Sequence, residues 1–214
     1  MILFHGNAQN LSSHYLAVSW MVRHHYDVWV WDYRGYGLSQ GEAQSAGIYK
    51  DSLKALAYGH KLISERRIKD KKQRFILIGQ SLGGNILMRA LEDSPYREDT
   101  NLLVIDSSFL SYKELARDKL ASVWLFWPLQ HLAYLLITDK YAPQDHLQRI
   151  QIPTLVIHGK KDHVIPFSYG KEIYDSLSTP KKWFWAIEEG RHISTLGSGK
   201  GGYDEKLIKL IDRL

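Results

Sequence analysis

The sequence predicts an α/β protein: a mostly parallel sheet with helices on both faces and a small helical cap inserted between two strands. Two observations carry this prediction. Short β-rich apolar runs recur along the chain, and amphipathic helical periods separate most of them. Runs that are apolar on both sides suit a parallel sheet covered by helices on both faces.

The elements follow in order. The first strand, Ile2–Phe4, runs straight into the loop His5-Gly6-Asn7-Ala8. It begins almost at Met1 with no strand before it, which implies a fragment or a mis-assigned start. Val28–Trp31 is the second strand. Tyr49, Leu53, Leu56, His60 and Ile63 then step by four and three, the spacing of one buried helix face. Phe75–Ile78 and Leu102–Ile105 are the next strands, with the helical run Asn85–Leu91 between them. From Ser107 to Ile150 more than forty residues intervene before the following strand. An insertion of that length, with helical patterns and the cluster Trp124, Phe126 and Trp127, points to a functional lid. The expectation is one domain over 1–214, with 107–150 as its cap. Thr154–Ile157 and Trp183–Ile187 complete the strands. Leu207, Leu210, Ile211 and Leu214 close the chain on a helix that starts at Tyr203.

Composition bounds the function. The 214 residues suffice for one substantial core but not for two ordinary domains. Hydrophobic residues at 44% and charged residues at 24% exclude a disordered or fibrous chain. The net charge is +5, and the densest basic run is Arg66, Arg67, Lys69, Lys71, Lys72 and Arg74, broken by Asp70. No aromatic residues interleave with these cations, so they read as a solvated linker and not as a nucleic-acid platform. There is no cysteine, which removes disulfides, thiol nucleophiles and cysteine-ligated zinc. The most apolar stretch, Val123 to Ile137, contains Pro128, Gln130 and His131 and falls short of the ~18 residues of a span. A cytoplasmic location is the default, and peripheral membrane association stays open.

The strongest chemical signal is Gly79-Gln80-Ser81-Leu82-Gly83, followed by Gly84. It lies between a strand and a helix, the context in which G-x-S-x-G presents a nucleophilic serine. Glycines are needed there because the strained serine brings neighbouring backbone too close for Cβ atoms. The N-terminus of the following helix faces the reaction centre, so the Leu82 N–H can donate to a developing oxyanion. A second donor is expected from the first strand's loop, with Asn7 acting through its backbone.

A serine hydroxyl needs a base, and ten histidines compete for the part. His14, His24, His25 and His60 read as partly exposed helix residues, and His131 and His146 fall in the insertion. His5 and His158 precede glycines at strand ends and read as structural. His192 follows the last strand, at the carboxyl end of the sheet, and is the expected base. Its carboxylate partner is expected before it in the chain. Asp162, just past Thr154–Ile157, is favoured by the order of nucleophile, acid and histidine; Asp106, at the end of Leu102–Ile105, is the rival.

With these pieces placed, the chain resembles the α/β-hydrolase superfamily, and within it the BEM46-like branch, whose animal members include depalmitoylating serine hydrolases. His5-Gly6-Asn7-Ala8 resembles that branch's oxyanion loop. Asp32-Tyr33-Arg34-Gly35-Tyr36-Gly37-Leu38-Ser39, with Gly41 after it, resembles the loop after its fourth strand. Pro153 through Gly159, Asp162 and Val164-Ile165-Pro166 resemble the acid loop. The resemblance implies an α/β-hydrolase fold and a triad of Ser81, Asp162 and His192, with Asn7 and Leu82 as the oxyanion hole. Relatives usually carry a glycine before the histidine, where this chain has Arg191, and the first two strands of the family are absent, which fits the fragment reading.

The expected reaction is acyl transfer from an ester or thioester to water through an acyl-enzyme, needing no metal or organic cofactor. The expected partner is a small ester or acyl substrate, with Trp124, Phe126 and Trp127 as candidate contacts for an apolar acyl group. Two other readings are a peptidase of the prolyl-oligopeptidase type and a non-catalytic binding protein that retains the fold.

Overall fold

Strand formation follows the apolar runs. The computed structural model describes residues 1–69, 73–144, 147–199 and 201–214. Its strands are β1 (Ile2–Phe4), β2 (Trp29–Val30), β3 (Ile76–Gln80), β4 (Leu102–Asp106), β5 (Thr154–Gly159) and β6 (Lys182–Ile187). They form one sheet in the order β2-β1-β3-β4-β5-β6, with every neighbouring pair parallel. β3 and β4 run past the expected Ile78 and Ile105, because Gly79 pairs with Ile105 and Gln80 with Asp106. The chain reverses its direction of travel across the sheet between β1 and β3. In open α/β sheets such a switch point, at the carboxyl ends of the strands, is where a site forms.

Alternation along the strands sends side chains to two cores. Phe4, Leu77, Leu103, Ile105 and Val156 face one way; Leu3, Ile76, Ile78, Val104 and Leu155 face the other. The first core is closed by α2 (Ser45–Lys69), α3 (Leu82–Asp93) and α6 (Phe167–Ser176). The second is closed by α7 (Tyr203–Asp212) and by the short turns that follow α1 (Leu11–His14). On α2 the buried stripe centres on Ile48, Ser52, Ala55, Leu56 and Ile63, which leaves Tyr49 and His60 half-buried at its margins. His60 stacks on Tyr96 there, with ring centroids 4.1 Å apart.

Between β4 and β5 stand α4 (Tyr112–Ala121), α5 (Ala133–Leu136) and short 3-10 turns. Ser111 caps α4 by accepting the Glu114 N–H, and Asp139 reaches back to accept from Ser111 Oγ at 2.7 Å and from the Tyr112 N–H at 2.7 Å. Of the basic run noted above, Lys71 and Lys72, with the intervening Asp70, lie outside the described residues, as do the side chains of Arg67 and Lys69; Arg66 pairs with Asp27. No described helix is long and apolar enough to cross a membrane.

Candidate active site

β3 ends at Gln80 and α3 begins at Leu82, so Ser81 makes the whole turn between them, at φ 53° and ψ −123°. A non-glycine residue in that region stores about 1–3 kcal/mol of strain, which the surroundings must offset. They do so through β4. The Ser81 N–H donates to the Asp106 carbonyl at 2.9 Å, and the Ser108 hydroxyl donates to the Ser81 carbonyl at 2.8 Å. The flanking glycines permit the approach: a Cβ on Gly79 would lie 2.6 Å from the Gly84 Cα, and one on Gly83 would collide with the Phe4 carbonyl oxygen.

His192, on the loop after β6, bridges two groups. Its Nε2 lies 2.9 Å from Ser81 Oγ and its Nδ1 lies 2.8 Å from Asp162 Oδ2. An ionised carboxylate only accepts, so Nδ1 carries the proton and Nε2 is left to accept from the serine hydroxyl. The Asp162 side chain is fully buried. Its Oδ1 accepts the N–H groups of Val164 and Ile165, each at 2.8 Å. Burial pushes this carboxyl up, but the bonds from His192, Ile165 and Val164 outweigh it and hold Asp162 below the usual carboxylate range. The group is therefore charged at neutral pH, where it favours an imidazolium.

Asp106 does a different job. It is fully buried, and its oxygens accept from Gln80 Nε2 at 3.0 Å and from Ser107 Oγ at 3.1 Å. Burial raises it to about 6, opposed by those two bonds. Ser107 Oγ in turn accepts the Ile193 N–H at 3.2 Å, next to His192. Both Ser107 (φ 54°) and Ile193 (φ 43°) are left-handed, uncommon for any non-glycine residue and rare for the β-branched Ile193. Asp106, Ser107 and Ser108 thus tie the serine turn to the histidine loop.

Asn7 lies in the loop after β1, and its Oδ1 accepts the Tyr36 hydroxyl at 2.6 Å. Tyr33, from the same Asp32–Ser39 loop, donates to the His5 carbonyl at 3.0 Å. Among the described residues the backbone N–H groups of Asn7 and Leu82 have no acceptor. Leu82 is the first residue of α3, where the N–H has no intrahelical partner and the helix dipole is positive.

A cavity of about 220 Å³ adjoins this loop, with Asn7, Tyr36, Leu82, Ile86, Arg89 and Tyr141 in its wall. A larger cleft of about 1030 Å³ adjoins the histidine loop and is lined by Gln80, Arg191 and Ile193. Neither space has Ser81 or His192 in its wall; the smaller one reaches the serine turn through Asn7 and Leu82. The structure does not bring Trp124, Phe126 and Trp127 into either space. They are exposed on the insertion, Trp124 by 85%. Arg191 is exposed, and its φ is not left-handed, so a side chain sits there without strain. His5 and His158 are buried and bonded to the carbonyls of Gly6 and Ile165, as structural residues are. His14 differs from the partly exposed helix residue expected: it is buried against His5, with Nε2 bonded to the Ala8 carbonyl. His146 lies outside the described residues. No cluster of metal-ligating side chains occurs among the described residues.

Sequence reasoning missed the Ser107–Ile193 tie and the polar cavity wall. The only signal for the wall was Leu82, Ile86 and Arg89 at i, i+4 and i+7 on one helix.

Comparison with known proteins places these elements in a family. The model described as serine aminopeptidase, S33, a family of α/β hydrolases, matches residues 1–143. YfhR of Escherichia coli (strain K12) is 31% identical over 209 residues, covering 97% of this chain and 68% of YfhR. Protein bem46 of Schizosaccharomyces pombe is 27% identical over 205 residues, covering 93% and 63%. Among solved structures, the Pyrococcus furiosus esterase Pf2001 superposes with a TM-score of 0.72 at 20% identity, covering 99% of this chain and 79% of that one, which is a likeness of fold. The chain belongs to the α/β-hydrolase superfamily, with relatives in the BEM46-like branch.

Proposed function

We propose that this chain is a serine hydrolase that cleaves a carboxylic ester or thioester. The observation that carries the reading is the single imidazole of His192, bonded to Ser81 Oγ on one side and to the buried Asp162 on the other. Ser81 Oγ attacks the acyl carbonyl while His192 Nε2 takes the hydroxyl proton. The negative oxygen that develops is met by the N–H groups of Leu82 and Asn7. The tetrahedral intermediate collapses, the alcohol or thiol leaves with the proton from His192, and water repeats the sequence on the acyl-enzyme. Asp162 keeps the imidazole in the required tautomer and stabilises its charged form. Turnover of p-nitrophenyl esters by the wild-type chain, and its loss in Ser81→Ala, is the expected result; intact turnover in that variant overturns the reading.

The matched family, serine aminopeptidase S33, supplies a second reading, an aminopeptidase. Such an enzyme must hold the ammonium of its substrate's first residue against a carboxylate. Among the described residues, no acidic side chain lines the cavity beside Asn7 and Leu82, and its one charged group is Arg89. Ester hydrolysis is therefore favoured. Aminoacyl p-nitroanilides tested beside p-nitrophenyl esters separate the two, and faster anilide cleavage reverses the preference.

A further inference from the structure

The cavity beside the serine turn ends on a cation. Leu82, Ile86 and Arg89 put one face of α3 into its wall. The Arg89 guanidinium lies over the Tyr49 ring, 5.1 Å from its centroid, and its side chain is only 15% exposed. One nitrogen is occupied: Nη1 donates to Asp93 Oδ2 at 2.6 Å and to Glu92 Oε2 at 3.2 Å. Among the described residues Nε and Nη2 have no acceptor. A guanidinium offers its donors as a planar fork shaped for a carboxylate, and here half of the fork is unused.

Arg89 shares its one ionised partner, Asp93, with a second cation. Burial pushes Glu92 up to about 8, so this carboxyl keeps its proton at neutral pH. Burial also acts on Asp93, but bonds from Tyr49 and Arg89 overcome it and hold Asp93 below the usual range. Arg149 Nη1 is 3.7 Å from Asp93 Oδ1. In this network two cations meet one ionised carboxylate. Lys140 adds a further cation 5.6 Å from the centroid of Tyr141, another wall residue.

We propose that this cavity is the acyl site and that it selects an acyl chain ending in a carboxylate, which the free edge of Arg89 receives. The inference rests on Ser81 as the nucleophile. Cavity size sets the scale of the chain: about 220 Å³ holds a short diacid acyl group such as adipoyl and has no room for a long fatty chain. With an adipate half-ester, Ser81 Oγ bonds to the acyl carbon as the bond to the leaving oxygen breaks, and water then releases the diacid.

The test compares mono-p-nitrophenyl adipate with p-nitrophenyl hexanoate, which has the same chain length and no charge. The wild-type chain should favour the adipate ester about tenfold in kcat/KM, through KM. Arg89→Met should abolish that preference, and Arg89→Lys should keep part of it. Because Arg89→Met also breaks bonds to Glu92 and Asp93, free adipate provides a readout without a variant: it should inhibit the wild-type chain about tenfold more tightly than hexanoate does. Equal inhibition by the two acids, or an unchanged ester ratio in Arg89→Met, overturns the proposal. Hexanoate turnover without preference for the adipate ester overturns this inference alone. Turnover of neither ester, with no fluorophosphonate labelling of Ser81, overturns the nucleophile reading and this inference with it.

Discussion

The serine turn and the β4–β5 insertion handle side chains in opposite ways. Around Ser81 nearly everything is buried, strained and cross-bonded: three left-handed non-glycine residues, Ser81, Ser107 and Ile193, are tied by hydrogen bonds to one another's elements. On the insertion, large apolar side chains point outward, with Trp124 85%, Leu135 81% and Leu136 79% exposed. Cross-bonding around the turn offsets strain, so each removal there costs stability or geometry. Apolar surface left exposed contributes little to folding, so changes at these positions cost little stability. Side chains packed around the turn are committed to geometry, whereas those on the insertion are free to meet other surfaces.

That contrast can be broken or sharpened by mutation. The largest effect is expected at the triad: His192→Ala should lower ester turnover by at least about 10³-fold while the thermal unfolding midpoint stays near wild type. A next step tests the tie between turn and loop. Ser107→Ala leaves the Ile193 N–H without an acceptor and Asp106 Oδ1 without a donor, so it should cost on the order of 2 kcal/mol of stability and about tenfold in kcat. Denaturant unfolding and steady-state kinetics read both effects. A variant that loses neither shows that the left-handed backbone holds itself.

A third test uses pH. Burial lets Glu92 keep its proton to about 8 in the folded chain, whereas an ordinary glutamate titrates at 4.5. The stability this group contributes is fully present below 4.5 and is lost as pH rises to about 8. Glu92→Gln carries no such titration. The variant should match wild type near pH 5 and exceed it above pH 8, by on the order of 2 kcal/mol. The smallest effect is expected on the insertion: Trp124→Ser should shift stability by less than about 0.5 kcal/mol, and a larger loss would mean that this residue packs against the fold.

How much of this was readable in the sequence depends on the range of each signal. The strands were legible because each apolar run is local; only the ends slipped, where Gly79-Gln80 gives no apolar cue and pairing with β4 extends β3. Ser81 could be singled out because G-x-S-x-G sits between a strand and a helix, and chain order pointed to Asp162 and His192. The structure brings these three side chains within hydrogen-bond distance. Asp106 could not be told from Asp162 by residue type, since both follow strands; the difference is that its oxygens face Gln80 and Ser107. The left-handed states of Ser107 and Ile193 were invisible, because neither is a glycine. The cavity wall was illegible for another reason: Tyr36, Arg89 and Tyr141 come from three distant segments that only the fold joins.

The central claim is that Ser81 is a nucleophile activated by His192. The direct measurement is mass spectrometry of the full chain after exposure to a fluorophosphonate, with the adduct mapped to its peptide. The account predicts one adduct, on Ser81, formed rapidly by the wild-type chain and lost in both Ser81→Ala and His192→Ala. Labelling at another residue, or labelling of Ser81 that persists at the wild-type rate without His192, would contradict it.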